Sequence, residues 1–176
     1  MWSGIQSSNA LWMHMTPMKV PKRNKTFILS MDLQCADPSS YIPRKKMMER
    51  WAKAAIETQD LEQSELELVL RIVGELEGAE LNNKYRGKTK ATNVLSFPFS
   101  AVTPQPLPIL GDIIICAPLI EREASAENKN LEAYWAHMII HGVLHLLGYD
   151  HNTSAEAFAM ERLEAFILNK LNYPAP

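Results

Sequence analysis

Four of the five histidines in this 176-residue chain fall within fifteen positions, HMIIHGVLHLLGYDH (137–151). At about 100° per residue of helix, Trp135, Met138, Ile139, Gly142, Val143 and Leu146 share one side, which must face the core. His137, His141 and His145 share the adjacent side. His141 and His145 are four residues apart, so their rings project from successive turns toward one point, as two helical imidazoles must to hold a tetrahedral metal. Gly148 is placed as the left-handed residue that ends the helix. His151, three residues on, can swing back as a third ligand. A fourth position then stays open for water, the mark of a catalytic rather than a structural zinc. Zinc suits three neutral imidazoles, and nickel or copper would also bind them. Taken singly, each histidine reads equally well as a satisfied core residue. The full pattern H-x-x-x-H-x-x-G-x-x-H reads as a metal site.

The spacing matches the metzincin protease motif in every position but one. Gly142 stands where those proteases carry the glutamate that takes a proton from the attacking water. A metallopeptidase or amidase would therefore need a base from elsewhere in the chain. His137, one turn before His141, is a candidate to support a ligand or move a proton, or else a surface histidine at the helix start. Asp150 either orients a ligand or sits in the turn. Asp112 lies in an apolar run, where a carboxylate needs a partner, and a bond to the turn or to a histidine is expected.

The elements that must position these groups follow from periodicity and punctuation. Strands are expected at Thr26–Leu33, Leu66–Val73, Thr92–Phe97 and Leu110–Cys116, the last buried on both faces. Pro43 opens a helix to about Thr58, with Met47, Met48, Trp51 and Ala55 on one face. A second helix spans Gly74–Asn83, with Leu76, Ala79 and Leu81 inward. Tyr85–Lys90 is polar and basic, and 101–109 is a proline-rich loop. Helices follow at Pro118–Glu127, Leu131–Leu147 and Thr153–Leu171, the last with Thr153 and Glu156 spaced as a capping box. The class is α+β: a small mixed sheet of about four strands packed against helices, with the metal site on the long penultimate helix and the turn after it.

Composition sets outer bounds. With 47% hydrophobic and 22% charged residues, the length suits one domain, here 25–176, after an N-terminal extension (1–24) expected to be poorly ordered and to leave His14 without a role. The net charge of −2 gives no chain-wide basic footprint, so any nucleic-acid contact must use a local patch. Cys35 and Cys116 form no disulfide framework and read as small buried residues, as expected of a reducing cytoplasm. No run of 18 apolar residues is present, so neither a transmembrane helix nor a membrane partner is expected.

The run HMIIHGVLHLLGYDH resembles the signature of the YbeY endoribonucleases. LNNKYRGKTKATNVLSFPF (81–99) is similar to that family's other recurring block, and LGDIIIC (110–116) to the strand before its last helices. The likeness covers roughly residues 26–172 and departs at no ligand position. It implies zinc on three histidines and single-strand-specific endoribonuclease activity in ribosomal RNA maturation, notably at the 3′ end of 16S rRNA, and in ribosome quality control. It implies rRNA in ribosomal particles as partner, with ribosomal or assembly proteins beside it. It also implies a role in activity for the arginine of the Y-R-G-K block, here Arg86.

The residues of that block are compatible. Lys84, Arg86, Lys88 and Lys90 form a cationic stretch in a mildly acidic chain. Arg86 can grip a phosphate with two hydrogen bonds, the lysines can follow an RNA backbone, and Tyr85 offers a ring for an unpaired base. The plainer alternative is a solvated, positively charged loop. Water or the RNA's own 2′-hydroxyl can serve as nucleophile. A ribosome assembly factor braced by a structural zinc is the non-enzymatic alternative.

Overall fold

The computed structural model describes residues 27–37, 40–61, 63–100 and 107–175. Four strands form one sheet: β1 (Ile28–Cys35), β2 (Glu65–Val73), β3 (Val94–Pro98) and β4 (Ile109–Cys116), in the order β1-β2-β4-β3. β1 and β4 run parallel to β2, and β3 closes the sheet antiparallel to β4. Side-chain alternation sorts the strands into two faces. Leu66, Leu68, Leu70 and Ile72 of β2 share the inner face with Ile113 and Ile115 of β4, all buried. The register pairs Leu70 with Ile113 and Ile72 with Ile115, so these side chains pack side by side.

Five helices complete the α+β fold: α1 (Lys45–Ile56), α2 (Glu75–Arg86), α3 (Ala117–Ala126), α4 (Leu131–Leu146) and α5 (Ser154–Lys170). α1 buries Met48, Trp51, Ala52, Ala55 and Ile56; of the stripe expected from the sequence, Met48, Trp51 and Ala55 are buried and Met47 is half-buried. α4 is the hub: it touches β3, β4, α1, α3 and α5. Eleven of its sixteen residues are buried, including Trp135, Ile139, Ile140, Val143 and Leu144. A helix apolar almost all round belongs in a core, and each large side chain so buried contributes about 1.5–3 kcal/mol.

Several expectations need correction. α2 runs to Arg86 and buries a different face. Leu76 is 85% exposed, while Gly78 and Asn82 are buried. The reason is close approach: a Cβ built at Gly78 would lie 3.4 Å from Cys116 Sγ of β4. Small residues, not leucines, therefore face the sheet. β1 extends to Cys35, which is exposed rather than buried; Cys116 is buried. Asp112 points outward into water, so it needs no histidine or turn partner, and β4 is not sealed on its outer face along its full length. The extension 1–24, with His14, and residues 101–106 of the 101–109 loop lie outside the described residues.

Candidate metal centre

The exception to α4's burial is its histidine stripe. Asn130 caps the helix start, its side chain accepting from Ala133 N at 3.0 Å. His137, His141 and His145 then emerge half-buried along one line. At the far end, Gly148 N donates to His145 O and Tyr149 N to Leu144 O, both at 3.0 Å. This is the Schellman pairing, and Gly148 takes φ +91° to complete it. The reversal aims the Tyr149 carbonyl back at the helix, where it accepts from His145 Nδ1 at 3.0 Å. Gln59, beyond the end of α1, donates to the Tyr149 hydroxyl at 3.0 Å and ties this turn to the first helix. Asp150 belongs to the turn: its Oδ1 accepts from His151 N at 2.8 Å. His151 is thereby brought back, with its ring centre 5.0 Å from that of His145 and 5.7 Å from that of His141.

His141 Nδ1 meets Glu164 Oε1 at 2.7 Å, and His137 Nε2 meets Glu164 Oε2 at 3.0 Å. Glu164, on α5, is 3% exposed. Burial pushes its carboxyl pKa up, but hydrogen bonds from His137 and His141 outweigh this and bring it down to about 2. It is therefore a carboxylate and an acceptor, so both histidines donate to it. Burial lowers the His145 pKa, and the neighbouring His141 and His151 lower it further, so His145 favours the neutral form.

These partners fix the tautomers. With Nδ1 of His141 and Nδ1 of His145 both donating, their Nε2 atoms are turned to face each other, 3.1 Å apart. Two nitrogens so placed share a proton or take a metal ion between them. Two ligands about 2.0–2.1 Å from one tetrahedral ion would stand about 3.3 Å apart. Nitrogen atoms of His141, His145 and His151 all lie within 4.8 Å of one another. The donor set fits a metal ion, zinc among the candidates. His137, His141 and Glu164 also come close enough to bind one, but their short distances are already satisfied as hydrogen bonds.

One wall of the cluster is cationic. A pocket of about 700 Å3 brings Arg86 and Lys88, at the end of α2, together with Ser96 of β3 and with His145 and His151. Lys84 does not line it; its ammonium lies 5.0 Å from the centre of the Tyr85 ring. Tyr85 packs edge-on against Phe97 at 4.7 Å and is 53% exposed. Lys90 is exposed, and its carbonyl accepts from Asn82.

A family model described as Endoribonuclease YbeY matches residues 34–172. The chain belongs to the YbeY family. That membership makes it an endoribonuclease of ribosomal RNA processing, in a family that is metal-dependent. The solution structure of a Thermotoga maritima target protein is similar in fold, with a TM-score of 0.52 and 24% identity over 81% of this chain and 92% of that one.

In this YbeY chain the glycine at 142 has a packing reason. A Cβ there would sit 3.0 Å from Ile113 Cδ1 and 3.3 Å from Ser96 Oγ. Residue 142 faces the sheet, so a glutamate could not take the protease role without prising α4 from β4. The group that sequence reasoning missed is Glu164. Its signal was a carboxylate beside Leu163, on a helix face that also carries Met160 and Ile167, a place where a charge needs a partner. The partner lies 23 residues away in sequence, so spacing could not name it.

Proposed function

We propose that this chain is a zinc-dependent, single-strand-specific endoribonuclease that matures the 3′ end of 16S rRNA and acts in ribosome quality control, on ribosomal particles in the cytoplasm. Family membership supports the endoribonuclease core of this reading. The observation that carries the metal part is the cluster of His141, His145 and His151 nitrogens, in which the first two face each other through Nε2 atoms 3.1 Å apart with both Nδ1 atoms committed elsewhere. When bound, zinc supplies Lewis acidity toward a phosphoryl oxygen.

The chain's own groups do the rest. Arg86 and Lys88 draw the phosphate onto the histidine cluster, and Arg86 neutralises the charge that grows on phosphorus oxygens in the transition state. Glu164 holds His141 in one tautomer and orientation. His137, bonded to the same carboxylate, keeps its ring beside the cluster as a proton carrier. With Gly142 in place of a glutamate base, attack by the adjacent 2′-hydroxyl is the route that asks least of the protein. The 2′-oxygen bonds to phosphorus as the P–O5′ bond breaks, and the 2′-hydroxyl proton passes by way of His137 to the departing oxygen, leaving a 2′,3′-cyclic phosphate on one product and a 5′-hydroxyl on the other.

The test combines metal analysis with cleavage of single-stranded and duplex RNA, comparing the wild type with His145→Ala. The wild type should hold one zinc per chain and cut only single strands, and the variant should lose both properties. Full metal content in the variant would refute the ligand assignment. A 3′-hydroxyl or linear phosphate formed without passing through the cyclic product would refute internal attack.

A further inference from the structure

The histidine cluster has a second neighbour, of opposite character to the cationic wall. Between α4 and α5 lies a pocket of about 690 Å3 whose lining includes His137, His141 and His151. Such a volume suits a small organic ligand, for which about 300–1,000 Å3 is usual. Buried Met138 and Met160 contribute apolar surface to it, and α5 lends Phe158 and Arg162. Phe158 is 48% exposed, an apolar ring left half in water on a helix whose other aliphatic face is in the core. The Arg162 guanidinium, one turn on, lies 5.6 Å from the centre of that ring.

Charge separates the two sides. In the second pocket Arg162 is offset by Glu161, and the Glu164 carboxylate is committed to His137 and His141. That balance does not select a phosphate. Sulfur-containing, aromatic and guanidinium surfaces instead suit a flat, uncharged ring. A ribonucleotide has the same two halves: a charged phosphate and a flat base.

We propose that this pocket is a base-binding subsite, where an unpaired nucleobase next to the scissile phosphate stacks on Phe158 and the Arg162 guanidinium. The proposal rests on the RNA reading above and deepens it. The phosphate lies against Arg86 and Lys88, the base enters between α4 and α5, and the histidine cluster sits between them. A base held in a Watson–Crick pair cannot enter, so the subsite favours single strands. Stacking accepts any base, so sequence preference is weak.

Binding of the zinc-loaded full chain to two labelled probes of equal length and charge tests this. One is a single-stranded 2′-O-methyl RNA, which keeps its bases and blocks internal attack. The other is its fully abasic counterpart. The wild type should bind the base-bearing probe about ten-fold more tightly, from one base–aromatic stack. Phe158→Ala should erase most of that preference at unchanged zinc content, and Phe158→Trp should retain it. Retention of the preference in Phe158→Ala, an equal loss for both probes, or no preference in the wild type would each overturn the subsite. Cleavage is scored separately. A chain that binds with this preference and cuts no RNA sinks the nuclease reading and supports the subsite; one that cuts RNA with no Phe158-dependent preference does the reverse.

Discussion

Glu164 shows how one buried carboxylate sets the state of its neighbours. By accepting from both His137 and His141, it turns His141 Nε2 toward His145. Groups that support metal-bound histidines typically matter 10- to 100-fold in affinity. Glu164→Gln is expected to weaken zinc binding by about that factor, read by competition with a chelator. The same carboxylate makes the metal-free protein acid-sensitive. Its folded pKa of about 2 lies below the ordinary 4.5, so its stabilisation is complete above pH 4.5 and is lost as pH falls toward 2. The lowered pKa of His145 acts earlier, because the unfolded chain takes up that proton first as pH drops below 6.5. Urea unfolding of chelator-treated protein between pH 7 and 2.5 should show both windows, and Glu164→Gln should flatten only the lower one.

Among the elements, α4 does two jobs that compete. It must be apolar enough to sit at the centre of the core, yet carry three polar rings on one line. The conflict is resolved by leaving that line at the surface between the β3 edge and α5. Gly142 packs close against the sheet, so in Gly142→Ala an overpacking cost of about 1–3 kcal/mol against Ile113 is offset by about 1 kcal/mol of helix propensity, and a net loss of up to about 2 kcal/mol is expected. A chain of this length loses about 2–4 °C of melting temperature per kcal/mol, which a thermal melt resolves. Gly142→Glu should fold poorly and gain no peptidase activity. The end of α4 is equally constrained. Gly148→Ala should cost about 1–2 kcal/mol at its left-handed φ and also shift the carbonyl that orients His145, so zinc affinity should fall with stability. Thr153→Ala, which removes the capping box of α5, should cost about 1 kcal/mol and loosen the helix that carries Glu164.

Across the whole molecule, the proposed site draws on three helices. Arg86 and Lys88 arrive on the last turn of α2 and the residues after it, the histidines on α4 and its turn, and Glu164 and Phe158 on α5. Arg86 is exposed. Arg86→Glu should therefore leave zinc content and melting temperature unchanged while reducing RNA cleavage at least ten-fold. Normal cleavage in that variant would remove Arg86 from the mechanism. Among the described residues, no helix is long and apolar enough to cross a membrane.

The sequence by itself determined what short-range geometry controls. His141, His145, Gly148 and His151 lie within eleven positions of one helix and its turn, where fixed rise and rotation convert spacing directly into direction. The strand alternation of β2, the apolar stripe of α1 and the capping box of α5 were legible for the same reason. The tertiary structure decided what depends on which surfaces meet. Leu76 reads as a core residue until the close approach of Gly78 to β4 turns α2 the other way. Asp112 reads as a buried carboxylate until the sheet's outer face is seen to be open there. Glu164 and Phe158 carry no motif, because their meaning comes from α5 lying across α4. The three histidines carry the spacing of a metal site in the sequence; the carboxylate that aims one of them, and the unlike walls on either side, exist only once the chain has folded.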